Sequence, residues 1–403
     1  LLFFSFSRYF HFSPMTANTT TARPLADAAP LQVVPVTGRR VLKQFIRLPW
    51  SIYADDPCWV PPLLWERQQH LSRKNPYFVH ARWCAWLARR GSRAVGRISA
   101  QVDQLHLDRH QDATGFFGML EAEDDPAVFQ ALLTTAETWL REQGLRRILG
   151  PFNLSINDEC GLLVAGFETP PAVMMGHAHP YYALRLEEQG YGQARDLLAY
   201  RIGAGFVMPA AMQTLLRKLA DRVHLRPLRR SQLDEEIAIL RDIFNDAWSQ
   251  NWNFVPFTEA EFAHMGRDLA RLLPDDFVQI AEVDGVPAAM AILMPNLNEV
   301  IRDLNGRLLP FGWLKLLWRL KWAYPKTGRV PLLGVRKRYQ QSLLGAALAV
   351  LVIDGMHGPG RQRGIEEVEL SWILEDNQRI RGLIEAIGGT VYKRYRIYQK
   401  ELV

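Results

Sequence analysis

Two stretches almost two hundred residues apart end in the same way, and this likeness limits the possible folds more than any other feature. "LEEQGYGQARDLLAYRI" (186–202) and "IEAIGGTVYKRYRIYQK" (384–400) each read as a helix ending in Glu, a Gly-containing turn and a basic, tyrosine-bearing strand. A chain of 403 residues exceeds one ordinary domain. The expectation is two lobes built to one plan, each closing on such a strand.

The stretches between support an α/β reading with mixed sheets. "WCAWLARRGSRAVGRISAQV" (83–102) reads as two strands around a Gly turn, and "DDPAVFQALLTTAETWLREQG" (124–144) as a helix with Pro at its start and Gly144 at its stop. "RRILGPFNLS" returns to a strand. In the second half, "FVQIAEVDGVPAAMAILMP" (277–295) predicts a hairpin turning at Asp284-Gly285. A strand over 329–335, a helix over 342–357, the strand "IEEVELSWIL" and a final helix and strand follow. The lobes are expected at 38–205 and 233–403, joined by a basic connection, 206–232. Residues 1–37 read as a disordered leader, with Met15 as the natural start.

Charge is regional. The chain nets +6, yet between Leu304 and Ile353 there is no acid and there are nine Lys and Arg, so the remainder is net negative. Such a block expects an anionic partner: phosphate groups, a lipid surface or nucleic acid. Part of it, "NGRLLPFGWLKLLWRLKWAYPKTGR" (305–329), holds three tryptophans and a ladder of leucines. On a helical wheel Lys315 and Arg319 form a narrow stripe, while Trp313, Leu314, Leu316, Leu317 and Leu320 cover most of the rest. Such a helix lies at a membrane interface or walls a lipid tunnel; the alternative is a helix packed between the lobes. The basic stripe and the missing acids favour lipid. Nucleic acid fits poorly, because the leucines leave few positions for backbone contacts. No stretch reaches about 18 uninterrupted apolar residues, the length expected of a membrane span. Three cysteines without metal-like spacing suggest a reducing compartment.

The strand at 329–335 runs into "VRKRYQQSLLGAALA" and then an apolar helix. A helix start offers unpaired N–H groups that suit a pyrophosphate, and Arg336, Lys337 and Arg338 would add charge. A solvated basic turn is the plainer alternative. Two polar clusters flank apolar strands. "NLSINDECG" carries Asn153, Asn157, Glu159 and Cys160; "PNLNEVIRDLNG" carries Asn296, Asn298, Glu299, Arg302 and Asp303. Buried, such groups are costly without a task, although turns and caps also use Asn and Asp. "MMGHAHPYY" adds His177, His179, Tyr181 and Tyr182. No third ligand stands at metal spacing, so no metal is expected.

The order strand, "V-R-x-x-Y-Q-x-x-x-x-G", helix, strand, Asn-bearing helix, closing strand resembles the GNAT-type acyl-CoA N-acyltransferases. Gln340 and Gly345 match the family's pyrophosphate loop, where Leu343 replaces its first Gly. Asn377 stands at the usual Asn of the next helix, and Ile384 replaces the tyrosine that often serves as general acid. "LPWSIYADDPCWVPPL", "GPFNLSINDECGLL", "PNLNEVIRDLNGRLLPFGWLKLLWRLK" and "VELSWILEDN" are similar to two-lobed GNAT-like proteins that include bacterial ceramide synthases, over nearly all of 38–403. The resemblance implies transfer of a long acyl chain from acyl-CoA, or from acyl carrier protein, to the amine of a sphingoid base, sphinganine or its 3-keto form. It implies a bacterial, cytoplasmic protein held peripherally at the inner membrane. Another amine acceptor, or a non-catalytic lipid- or partner-binding protein on the same scaffold, is the alternative.

An ammonium cannot attack a thioester, so a base is needed. Glu299 and Asp303 lead, with Glu159 and His177 behind them. Backbone N–H groups near Leu333, Gly334 and Val335 would meet the oxyanion, as the GNAT resemblance implies. Arg336, Lys337 and Gln340 would hold the pyrophosphate, with Gly345 and Asn377 completing the donor site. Asn153, Asn157, Tyr181, Tyr182, Asn296, Asn298, Arg302, Trp313 and Leu317 are the expected acceptor contacts. The helical insertion spans 296–328 in the second lobe.

Overall fold

The computed structural model describes residues 29–205, 210–218 and 220–402. Most of the expected leader, including Met15, lies outside them. The thirteen strands seen are β1 (Leu31–Pro35), β2 (Ala81–Arg90), β3 (Arg93–Asp103), β4 (Thr114–Ala122), β5 (Arg147–Gly150), β6 (Leu162–Ala165) and β7 (Gly192–Gly203). The second half supplies β8 (Val223–Pro227), β9 (Val278–Val283), β10 (Val286–Pro295), β11 (Thr327–Val335), β12 (Glu367–Leu374) and β13 (Thr390–Glu401).

All belong to one mixed sheet in the order β1-β2-β3-β4-β5-β13-β7-β12-β11-β10-β9-β8, with β6 beside β13. The two alike chain endings become β7 and β13, and these pair with each other, antiparallel, over most of their length. Each also docks on the opposite half: β13 on β5, and β7 on β12. The lobes have exchanged their last strands, so neither lobe's half of the sheet is complete without the other.

Local chemistry explains the hairpins and helices. Asp284 (φ 53) and Gly285 (φ 77) both take the left-handed conformation, as a two-residue hairpin turn requires. The helix Pro126–Glu142 opens on Pro126 and on Asp125, whose side chain accepts from Ala127 N–H. Its buried face, Val128, Leu132, Ala136 and Leu140, packs on β3. In the second lobe the helix Leu343–Gln362 buries Ala347, Leu348, Val352 and Met356 against β9 and β10. It is long and apolar enough to cross a membrane, but it packs here as the core helix of the lobe.

Two boundaries differ from the sequence reading. Residues 31–35, assigned to the leader, form edge strand β1 on β2. The connection 206–232 contains the helix Ala210–Lys218 and strand β8, which pairs with β9. Short edge strands need few apolar residues, so basic composition hid this one.

Candidate active site

β11 and β12 run parallel and pair only from Thr327–Val330 against Glu367–Leu370. Beyond that point they part. Residues 332–335 of β11 pair with β10 alone, and β12 bulges after Leu370, with Trp372 at φ 60. The gap is a cavity of about 810 Å³, large even for a drug-sized ligand. Its walls are mostly apolar: Phe244, Trp248, Phe254, Leu332, Ile380 and Leu383 are among them. The first lobe closes one side with Ile156, Asn157, Cys160 and Met174.

At one end of the cavity lies the start of the helix Leu343–Gln362. Ser342 caps it, accepting from Gly345 N–H at 3.1 Å. Gly345 is needed there, because a Cβ would stand 2.1 Å from Tyr339 O. Gln340, Gly345, Leu333, Gly334, Val335 and Asn377 all line the cavity, as does Asn157. Gln340, however, spends its amide on Ala247 O (2.8 Å) and Val335 O (2.9 Å). Arg336 is held by Asp242 (2.5 Å) and Pro287 O (2.7 Å). Lys337 N–H donates to Asp246. The acid-free block of the sequence thus receives acids in space, from the helix Leu233–Ala247. The exposed cations around this end are Lys337, Arg338 and Arg379. Arg379 lines the cavity, and the sequence reading missed it.

Where β11 and β12 separate, a buried polar group stands against the cavity wall. Arg329, with no exposed surface, donates from Nε to Ser371 Oγ (2.7 Å) and from Nη1 to Val173 O (3.0 Å). It stacks 4.0 Å from the Trp372 ring and sits 3.4 Å from Glu369. Tyr392 donates to the other oxygen of Glu369. Burial first, and then that carboxylate, raises the Tyr392 phenol above its ordinary value, so it stays a donor. Among the described residues, Arg329 Nη2, Glu369 Oε1, Trp372 Nε1 and the Tyr395 hydroxyl find no hydrogen-bond partner. A buried charge with so many open valences costs several kcal/mol. Sequence offered little warning: Arg329 and Glu369 are forty residues apart and meet only through the parallel register.

The four expected bases lie elsewhere. Glu299 accepts from the Lys326 and Thr327 N–H groups and from the Thr327 hydroxyl, closing the base of the insertion. Asp303 is clamped by Arg319 and Lys315, whose hydrogen bonds hold its carboxyl far below the usual range. Glu159 is half-buried, and desolvation would raise it, but Arg67 at 3.0 Å brings it below its ordinary value. His177 is pulled down by burial despite Asp56 at 2.8 Å. Asn153 ties Met119 N–H to Glu159. Tyr181 and Tyr182 donate to Ala122 O and Glu121 inside the first lobe. None of these lines the cavity. Asn296 and Asn298 bind Val173 N–H and Pro171 O, and Arg302 reaches Pro57 O, so this cluster joins the insertion to the first lobe.

The insertion contains the helix Gly312–Trp322. Leu316 and Leu320 pack on Val300, Ile301 and Leu304. The opposite face exposes Trp313, Leu314, Leu317, Trp318 and Trp322, continuing Leu309 and Phe311. Lys315 and Arg319 do not form a free basic stripe; Asp303 takes both.

No family model matches the chain. It is 49% identical to Protein YghO of Escherichia coli over 362 residues, covering 90% of this chain and 93% of that one. It is 47% identical to the bacterial ceramide synthase of Caulobacter vibrioides over 377 residues, 93% of this chain and 98% of that one. This chain belongs to that family. The chain has a tandem GNAT fold. The tandem GNAT protein of the clavulanic acid pathway matches with TM-score 0.55 over 93% of this chain and 99% of its own, at 14% identity. A GCN5-related N-acetyltransferase of Sphaerobacter thermophilus matches with TM-score 0.51 over 92% and 96%, at 13% identity. This ceramide synthase homologue is an acyltransferase.

Proposed function

We propose that the protein moves a long fatty acyl chain from acyl-CoA to the amine of a sphingoid base, sphinganine or its 3-keto form, at the surface of the inner membrane. The observation that carries this reading is the cavity of about 810 Å³ with its apolar walls, far more room than an acetyl group uses. The acyl chain lies among Trp248, Phe254, Leu332 and Leu383, and the thioester at the parting of the strands. Backbone N–H groups of residues 333–335 meet its carbonyl oxygen, as preorganised donors do in acyl transfer. Lys337, Arg338 and Arg379 supply the positive charge for the pyrophosphate. The exposed tryptophan face of Gly312–Trp322 rests at head-group depth, where it collects a lipid acceptor.

The test is direct. Purified protein with a long-chain acyl-CoA and sphinganine, or 3-ketosphinganine, should yield the N-acyl amide by mass spectrometry. Acyl-CoA consumption with soluble short amines and none with sphingoid bases would move the acceptor to another class.

A further inference from the structure

The cavity wall contains one hydroxyl whose placement has no structural need. Parallel pairing of β11 and β12 ends at Leu370, and Ser371 is the next residue, inside the bulge. Ser371 is among the residues that line the cavity. Arg329 Nε donates to its oxygen at 2.7 Å, so one lone pair is taken by a guanidinium and the hydroxyl hydrogen is left to donate. Arg329 is fully enclosed and held in place by Val173 O, Glu369 and the Trp372 ring. Leu or Met would fill that volume without enclosing a charge, so packing alone does not account for it.

We infer that Ser371 is a catalytic residue: its hydroxyl, polarised by Arg329, donates to the thioester oxygen as negative charge develops there. Arg329 is the positioning residue. This rests on the acyl-transfer reading above, and it assigns the oxyanion a side-chain donor on β12, facing the backbone donors of β11. The amine, once its ammonium proton has passed to water, attacks the carbonyl carbon, a C–N bond forms, and the carbonyl electron pair moves onto oxygen, where Ser371 meets it. Collapse returns that pair and breaks the C–S bond. The thiolate takes the proton the nitrogen sheds, leaving amide and free thiol with no further reactant.

Ser371→Ala should lower kcat about a hundredfold, as loss of one oxyanion donor does. The acyl-CoA dissociation constant by calorimetry should stay the same, and Ser371→Thr, which keeps the hydroxyl, should recover most of the rate. Arg329→Lys should lower kcat without raising KM, and should add little to Ser371→Ala in the double variant. If Ser371→Ala does not fold, Ser371→Cys keeps the volume with a weaker donor and should lose at least about tenfold. Ser371→Ala or Ser371→Cys turning over at the wild-type kcat overturns the inference. Release of CoA by water in the absence of any amine passes through the same kind of oxyanion. It therefore reports on Ser371 even if no sphingoid base is accepted: slow hydrolysis unchanged in Ser371→Ala sinks the inference, whereas an inert amine sinks only the acceptor assignment.

Discussion

The two lobes share a scaffold and use its parting strands in opposite ways. In the first lobe β4 and β5 pair in parallel from Thr114–Phe116 against Arg147–Leu149 and then separate, as β11 and β12 do. There the gap is filled. The chain after β5 turns back into it: Phe152 N–H donates to Phe117 O, Asn153 accepts from Met119 N–H, and Gln101 donates to the carbonyls of Phe152 and Leu154. Phe152 and Leu154 are buried. The following helix is approached by Glu121, Glu123, Asp124 and Asp125, where the second lobe has Arg336, Lys337 and Arg338. A helix start flanked by acids suits an anion less well than one flanked by cations. The plug of the first lobe also walls the cavity of the second, through Ile156, Asn157 and Cys160. One copy has become a support for the other.

The strongest way to break this comparison is to expel the plug. A Cβ on Gly118 would stand 1.8 Å from Phe152 O, a backbone atom that cannot yield alone. Gly118→Ala should cost about 3 kcal/mol or more, at the severe end of overpacking, and lower the melting temperature by several degrees. Calorimetry checks this. A stable Gly118→Ala protein with an unchanged cavity would mean that the plug is not needed.

Filling the open gap should do the reverse, changing substrate use and not stability. Leu383→Trp pushes a ring into the cavity from the helix Gln378–Ala386. Long-chain donors should lose about tenfold or more in kcat/KM while shorter ones lose less, because pocket fit discriminates by a few kcal/mol at most. A series of acyl-CoA chain lengths reads the shift. Equal losses at every length would place the acyl chain elsewhere.

Much of this contrast was legible in sequence, and the illegible part has a physical reason. The Asp284-Gly285 turn, the helix opened by Pro126 and the paired chain endings are local signals, set by dihedrals, caps and periodicity. The strand exchange is not local, since β7 would pair equally well in principle within its own lobe. Site residues followed the same divide. Leu333–Val335, Gln340, Gly345 and Asn377 lie next to one another along the GNAT order and do reach the cavity. Arg329, Glu369 and Ser371 meet through register alone, and Glu299 and Asp303 stand out as acids in a loop without showing that Thr327, Lys315 and Arg319 claim them. A helical wheel showed the insertion to be apolar nearly all round. It could not show that Leu316 and Leu320 face the protein while Trp313 and Leu317 face out.

That last division separates a supporting face from a working face on one helix. Trp313→Ser with Leu317→Ser removes groups that are 44% and 58% exposed, so melting should change by no more than surface substitutions do, within about 0.5 kcal/mol each. Binding to anionic vesicles, or use of a long-chain acceptor, should fall sharply. Leu316→Ser on the packed face should instead cost about 2 kcal/mol or more. Lys315→Glu with Arg319→Glu should destabilise the insertion by breaking both Asp303 pairs, an effect that calorimetry without lipid detects. Unchanged vesicle binding in the doubly serine-substituted protein would leave the exposed face without its assigned partner.

The smallest effect tests how the supporting lobe grips the working one. His80 of the first lobe is 2.9 Å from Asp103 beneath it and 3.1 Å from Glu261, which caps the helix Glu259–Leu272 of the second. Burial alone would lower its pKa, but the hydrogen bonds to Asp103 and Glu261 win and raise it to about 9. A raised value means that the folded protein holds this proton more tightly than the unfolded chain does. The contribution is therefore complete below the ordinary imidazole value of about 6.5 and is lost as pH rises through about 9. Glu261 works from the other side: burial would raise it, His80 and Thr258 lower it, and its contribution is lost as pH falls through the carboxylate range. The clamp holds best between those limits. His80→Gln keeps a hydrogen bond and cannot titrate, so its melting temperature should lie a few degrees below wild type near neutral pH, and the gap should shrink as pH passes about 9. A gap that stays constant across that range would show that the neutral imidazole grips the second lobe as well as the charged one.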